Sequence, residues 1–120
     1  MDRRTTVLIV DDDLGFGRFA ADLLTDRGYR VVGHAKTADE AVAECKRLDP
    51  DAVVLDVRLP DGHGVTLAET LRGAAARPTI LLTSTDRQAV SPEQVRKSGA
   101  SGFVPKTQLA RSDLDPFLNP

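Results

Sequence analysis

The sequence predicts an α/β fold: a doubly wound, five-stranded parallel sheet with helices on both faces. Three observations predict it. Short apolar runs rich in β-branched residues alternate along the chain with segments of helical period. The runs are continuously apolar rather than alternating, as in strands covered on both faces. Parallel strands need right-handed helical crossovers, so five such βα units amount to an open sheet.

Thr6–Val10 reads as the first strand, and Phe16, Phe19, Ala20, Leu23 and Leu24 then line one face of a helix that Gly28 stops. Arg30–His34 is the second strand. Thr37-Ala38-Asp39-Glu40 is a capping-box pattern opening a second helix, with Ala38, Ala41, Val42, Cys45 and Leu48 at helical spacing. Ala52–Leu55 is the third strand, and Leu67, Ala68 and Leu71 mark a third helix that ends before Pro78. Thr79–Leu82 is the fourth. Ser91-Pro92-Glu93-Gln94 then supplies an N-cap, a proline at the first helical position and a glutamine closing the box, and Gly99 stops that helix. Gly102–Val104 is the fifth strand. The last helix has the weakest pattern: Leu109, Leu114, Phe117 and Leu118 share a face with Pro116 among them, so either it is short or the given residues end inside it.

At 120 residues the chain has the length of one domain, and residues 1–120 are read as one. Hydrophobic residues make up 41%, enough for a core, which excludes a disordered chain. Four Phe, one Tyr and no Trp leave no base-stacking surface, and 16 Lys plus Arg against 18 Asp plus Glu leave no phosphate-tracking one. No nucleic-acid binding through these residues is expected. Cys45, the single cysteine, excludes an internal disulfide framework and a multi-cysteine metal site, and its place on an apolar helix face makes it a core residue. The run from Val7 to Val10 is too short for a signal peptide or a membrane span, so a soluble, cytoplasmic chain without membrane contact is expected. The acids are lopsided: 14 are Asp and four are Glu, and Asp11, Asp12 and Asp13 are consecutive. Asp favours caps, turns and metal sites over helix interiors.

Open α/β sheets bind ligands beyond the carboxyl ends of their strands, where the strand order reverses. The first strand runs into Asp11 and Asp12, the third ends in Asp56, the fourth leads to Thr83-Ser84 and the fifth to Lys106. With the order 2-1-3-4-5, Asp11, Asp12 and Asp56 converge. Three adjacent carboxylates cannot all stay ionised without a cation. Oxygen ligands without His or Cys suit a hard ion such as Mg²⁺, which keeps positions open for water and phosphate. Lys106 adds a fixed positive charge and Thr83 a hydroxyl. A carboxylate nucleophile, a divalent cation, a lysine and a hydroxyl are the parts for placing phosphate on Asp56.

These residues carry a family resemblance. Val7-Leu8-Ile9-Val10-Asp11-Asp12, then Asp56-Val57-Arg58-Leu59-Pro60-Asp61-Gly62-His63-Gly64, then Leu82-Thr83-Ser84, then Gly99-Ala100-Ser101-Gly102-Phe103-Val104-Pro105-Lys106 stand in the order and spacing of a known pattern. The chain resembles the receiver domains of two-component response regulators over nearly its whole length. Each block alone is weakly specific; together they are strongly so. The resemblance implies a flavodoxin-like sheet and a role for each matching residue. Asp56 is the implied phosphoacceptor. Asp11 and Asp12 are the implied Mg²⁺ carboxylates, joined by Asp56 and the Arg58 backbone carbonyl. Thr83 is the implied switch hydroxyl, Phe103 the aromatic that turns inward with it, and Lys106 the phosphate-pairing lysine. Pro60 and Gly64 shape the loop after the acceptor.

The same resemblance implies a histidine kinase as phosphodonor and no activity beyond self-catalysed phosphoryl transfer and autodephosphorylation. It is compatible with a homodimer formed on phosphorylation. The Gly102–Lys106 block is similar to that of receivers preceding a helix-turn-helix DNA-binding domain, which would lie outside these residues. Two positions depart from the pattern or vary within it. Thr107 follows the lysine where many members have a proline in a cis peptide, and Pro105 precedes it. Arg58 and Thr85 occupy positions at which the family tunes phosphoryl lifetime.

Plainer readings compete. An Asp cluster alone is usually a solvated turn, and Asp13 is assigned to a helix cap. Lys106 alone would be a solvated lysine, Thr83 and Ser84 strand-end residues. His34 and His63 have no metal-ligand or relay context and are read as incidental. Gly15-Phe16-Gly17-Arg18-Phe19-Ala20 fits a dinucleotide fingerprint, but three Asp before it would repel a pyrophosphate and the acid expected after the second strand is missing. A phosphohydrolase of the haloacid dehalogenase type also uses a strand-end Asp with Mg²⁺, yet places a second Asp where Arg58 stands and carries a cap insertion for which 120 residues leave no room. A degenerate receiver that dimerises without phosphate would lack chemistry residues that are all present here.

Overall fold

The apolar runs pair in the order the strand-end reasoning requires. In a computed structural model that describes residues 4–74 and 77–120, the chain runs β1 (Thr6–Val10), α1 (Leu14–Asp26), β2 (Arg30–Ala35), α2 (Ala38–Leu48) and β3 (Ala52–Asp56). It continues through β4 (Arg58–Leu59), β5 (Gly62–His63), α3 (Gly64–Arg72), β6 (Thr79–Ser84), α4 (Pro92–Ser98) and β7 (Gly102–Pro105). A 3-10 turn (Lys106–Arg111) and α5 (Asp115–Leu118) complete it. The main sheet has the order β2-β1-β3-β6-β7, with every pairing parallel. This is the expected topology, with β6 and β7 as its fourth and fifth strands. The β4–β5 hairpin is a separate antiparallel pair that the sequence reading treats as loop.

Because side chains alternate across a strand, each strand feeds two cores. Leu8, Val10, Val53, Leu55, Ile80 and Leu82 face α2, α3 and α4, packing on Ala41, Cys45, Leu67, Ala68 and Leu71. Val7, Ile9, Ala52, Val54 and Leu81 face α1 and the C-terminal segment, packing on Ala20, Leu24, Leu109, Leu114 and Leu118. Each fully buried leucine here contributes roughly 1.5–3 kcal/mol relative to exposure. Cys45 lies in the first core as expected, and burial pushes its thiol up to about 11.

The caps follow the sequence signals. Asp13 receives the Gly15 and Phe16 N–H groups at the start of α1. Those are donors a pyrophosphate would need, so the dinucleotide reading fails on its own glycines. Thr37 caps α2 by accepting from the Glu40 N–H, and Ser91 with Gln94 forms a complete capping box on α4. Gly99, at φ +81°, ends α4 in the left-handed region that glycine enters without strain. A second cap on α2 comes from the hairpin. The Asp61 carboxylate accepts from Ala38 N–H at 2.7 Å and Asp39 N–H at 3.1 Å, which hold it below the usual carboxylate range.

Three local expectations change. Phe19 is 46% exposed rather than part of the α1 core face, which consists of Gly17, Ala20 and Leu24 flanked by Phe16, Ala21 and Leu23. The last helix is broken in two, because Pro116 can occupy only a first turn; the 3-10 turn buries Leu109 and α5 buries Leu118. His63 is no incidental loop residue: its Nδ1 accepts from the Val65 N–H and caps α3.

Candidate functional site

Parallel strands that end level with one another bring their next residues together. Val10 lies opposite Leu55, so Asp11 follows β1 beside Asp56, the last residue of β3. Asp56 in turn lies opposite Thr83 on β6, and Thr83 opposite Val104 on β7. Lys106 follows two residues later.

Asp11, Asp12 and Asp56 each offer a carboxylate oxygen, and these oxygens lie within 4.8 Å of one another. Asp11 and Asp56 are buried, at 1% and 7% exposure, while Asp12 is exposed. One face of the group is open and two carboxylates are desolvated, the arrangement of a site for a hard cation. Lys106 lies against it. Its ammonium is 2.7 Å from Asp11 Oδ2, 3.6 Å from Asp56 Oδ2 and 4.4 Å from the centre of the Phe16 ring. Phe16 therefore covers the lysine on its apolar side and adds a cation–π contact.

The electrostatics follow from these neighbours. Burial, then the charge of Asp11, raises the Asp56 carboxyl above its ordinary value, while Lys106 and the Arg58 N–H act the other way. Burial alone would lower Lys106, but its hydrogen bond and charge interactions with Asp11, and those with Asp56, outweigh it and hold the ammonium protonated. One cation thus balances part of a site that carries three acids.

Asp11 is held on every side. Its Oδ1 accepts from the Asp13 N–H at 2.8 Å, its own N–H donates to the Ala35 carbonyl at 2.9 Å, and its carbonyl lies 2.8 Å from His34 Nε2. Asp56 Oδ1 lies 3.3 Å from the Arg58 N–H. Thr83 is fully buried, and its hydroxyl has no hydrogen-bond partner among the described residues. Such a group costs about 1–3 kcal/mol relative to a satisfied one, so a ligand oxygen arriving there has a partner waiting.

The Arg58 guanidinium lies 3.6 Å from the Asp86 carboxylate, with both side chains exposed. An exposed pair of this kind contributes about 0–1 kcal/mol and is readily exchanged. Phe103 is half-buried on β7 and borders a hollow formed with Arg87, Val90, Pro92 and Val95.

The structure therefore gathers Asp11, Asp12, Asp56, Thr83 and Lys106 in one place and sets Arg58 at its rim. Phe103 stands apart, opposite Leu82 on the face turned to α4. Sequence reasoning missed Phe16 over the lysine, Asp86 opposite Arg58, and His34 behind Asp11. Only Gly17 signals the last of these in the sequence, because a glycine inside a helix calls for a packing reason.

Comparisons with known proteins agree with this geometry. A family model described as the response regulator receiver domain matches residues 7–115. The chain is 32% identical over 100 residues to the chemotaxis protein CheY of Thermotoga maritima, covering 83% of each. It is 33% identical over 109 residues to a protein-glutamate methylesterase/protein-glutamine glutaminase of Archaeoglobus fulgidus, covering 90% of this chain but only 31% of that protein. Among solved structures it superposes on the receiver domain of a NarL regulator from Mycobacterium tuberculosis with a TM-score of 0.79 and 28% identity, covering 93% of this chain and 94% of that one. Among the described residues no helix is long and apolar enough to cross a membrane.

Proposed function

The chain belongs to the response regulator receiver domain family, and on that premise we propose that Asp56 accepts a phosphoryl group from a histidine kinase. The single observation that carries this reading is the convergence of Asp11, Asp12 and Asp56 with Lys106 at one end of the sheet.

In the proposed step an Asp56 carboxylate oxygen attacks phosphorus. The bond from phosphorus to the donor histidine nitrogen breaks, and that nitrogen leaves with the electron pair and regains a proton. Asp11, Asp12, Asp56 and the Arg58 carbonyl would hold Mg²⁺, whose charge would neutralise the phosphoryl oxygens as the nucleophile approaches. Lys106, already protonated and aimed at Asp11 and Asp56, pairs with a further phosphoryl oxygen. Arg58, tied only by a weak surface contact, is free to leave Asp86 for the incoming anion. Water then reaches the acyl phosphate from the same open side, so the modification is transient.

The readout starts at Thr83. A phosphoryl group on the neighbouring strand gives its unpartnered hydroxyl an acceptor, and movement of Thr83 frees space along β6. Phe103 then turns inward from the hollow beside α4. This changes the face built from α4, β7 and the segment after it, to which a partner, a second copy or an attached output domain responds. The chain spans about a third of the methylesterase it matches.

The test is labelling by a small phosphodonor with Mg²⁺. Wild type gains one phosphoryl group and Asp56→Asn gains none. Equal labelling of the variant removes the assignment, and turnover of a generic phosphate ester would instead favour a phosphohydrolase.

A further inference from the structure

His34 stands outside the acid cluster, yet three separate features of the chain place it there. The β1–β2 pairing slips by one residue at Val32, since Val7 pairs with Val31 but Leu8 with Gly33. Without the slip, His34 would lie opposite Val10 and face the α2 side; with it, His34 lies opposite Ile9 and faces α1. Irregularities of this kind re-aim a side chain and favour positions next to active sites. Second, α1 leaves room for the ring. A Cβ on Gly17 would stand 2.3 Å from His34 Cε1 and 2.8 Å from Nε2, so only glycine fits beneath the imidazole. Third, the ring meets a backbone acceptor: Nε2 lies 2.8 Å from the Asp11 carbonyl, and a carbonyl only accepts, so that nitrogen carries the proton.

We infer that His34 is a positioning residue for the acid cluster. Consecutive residues at the end of β2 hold both backbone polar groups of Asp11: Ala35 takes its N–H and His34 its carbonyl. The peptide carrying Asp11 into Asp12 is thereby pinned from the edge strand. The two carboxylates point at Asp56 without the backbone rotating as a cation arrives or departs. The second glycine of the Gly15-Phe16-Gly17 run, which mimics a dinucleotide fingerprint, is explained by this ring.

The inference rests on the proposed metal site, so its test reads Mg²⁺ binding directly. Mg²⁺ is titrated into the unphosphorylated 120-residue chain by calorimetry, for wild type, His34→Ala, His34→Gln and Gly17→Ala. Groups that orient ligands change metal affinity by roughly 10–100-fold. We expect His34→Ala to weaken Mg²⁺ about tenfold or more and Gly17→Ala to do the same by displacing the ring. His34→Gln, which keeps a side-chain N–H, should recover most of the loss. A His34→Ala protein that binds Mg²⁺ as wild type does, or a Gln variant no better than Ala, overturns the inference. If His34→Ala fails to fold, the Gly17→Ala and Gln pair decides alone. These outcomes do not depend on phosphate: loss of labelling specificity at Asp56 would defeat the phosphoacceptor reading and leave the titration intact.

Discussion

Lys106 Nζ lies 2.7 Å from Asp11 Oδ2, nearer than the 3.6 Å that separates it from Asp56. The lysine therefore serves first as a counter-ion to an acid proposed as a metal ligand and is only partly committed to the proposed nucleophile. Removing it should separate two roles. Lys106→Met leaves two buried carboxylates with less compensation and should lower stability by about 2 kcal/mol, below the range for a fully enclosed pair because the site is open on one side. The same variant should bind Mg²⁺ at least as tightly as wild type, since a competing cation is gone, while labelling slows at least tenfold. Urea unfolding with and without Mg²⁺, alongside labelling kinetics, checks both halves.

Asp56 gives the protein a pH signature. Its carboxyl is raised in the folded state, chiefly by burial and then by Asp11, so the folded protein binds this proton more tightly than the unfolded one. The resulting stabilisation is present below the unfolded value and is lost as pH rises through the folded one. At neutral pH the ionised group is therefore a burden that Asp56→Asn lacks. We expect the variant to melt a few degrees higher than wild type at pH 7 without Mg²⁺, and the gap to shrink toward pH 4. A variant less stable than wild type at pH 7 would contradict this.

Thr83 supplies a third prediction. Its buried hydroxyl has no hydrogen-bond partner among the described residues, so Thr83→Val, which keeps the shape, should stabilise the unphosphorylated protein by about 1 kcal/mol. Asp56 should still be labelled in that variant. The conformational response to labelling, read as a change in hydrogen exchange along β7 and α4, should be lost.

Gly64 is constrained by backbone rather than by side chains. A Cβ there would lie 2.5 Å from the Asp56 carbonyl oxygen and 2.7 Å from Val57 Cα, atoms that cannot swing aside. Gly64→Ala should destabilise by about 2–3 kcal/mol and slow labelling, because any relief moves Asp56 itself. Gly28→Ala is the control for a glycine substitution: φ is +91° there, unlike at Gly64, but a Cβ would meet nothing within 4 Å. It should lower stability by only about 1 kcal/mol without touching labelling.

Much of this was legible in the sequence because strand-end chemistry survives projection onto one dimension. Continuous apolar runs locate the strands, and the topology rule carries Asp11, Asp12, Asp56, Thr83 and Lys106 to one edge without any contact being known. The last helix was not legible, since Leu109, Leu114 and Leu118 keep their burial although Pro116 breaks the helix between them. Asp61 and His63 hid in a loop because caps donated from another segment leave no local spacing. His34 reads as incidental for a related reason. Its direction depends on a one-residue slip at Val32 that no hydrophobic pattern announces, and its partner is a backbone carbonyl, which has no letter in the sequence.

The most direct measurement is chemical mapping of the acceptor. After labelling with a small phosphodonor and Mg²⁺, borohydride reduces an aspartyl phosphate to homoserine, which peptide mass spectrometry locates. We expect homoserine at position 56 alone, and none without Mg²⁺. Reduction at position 11 or 12, or a phosphate that resists borohydride on a serine or threonine, would contradict it.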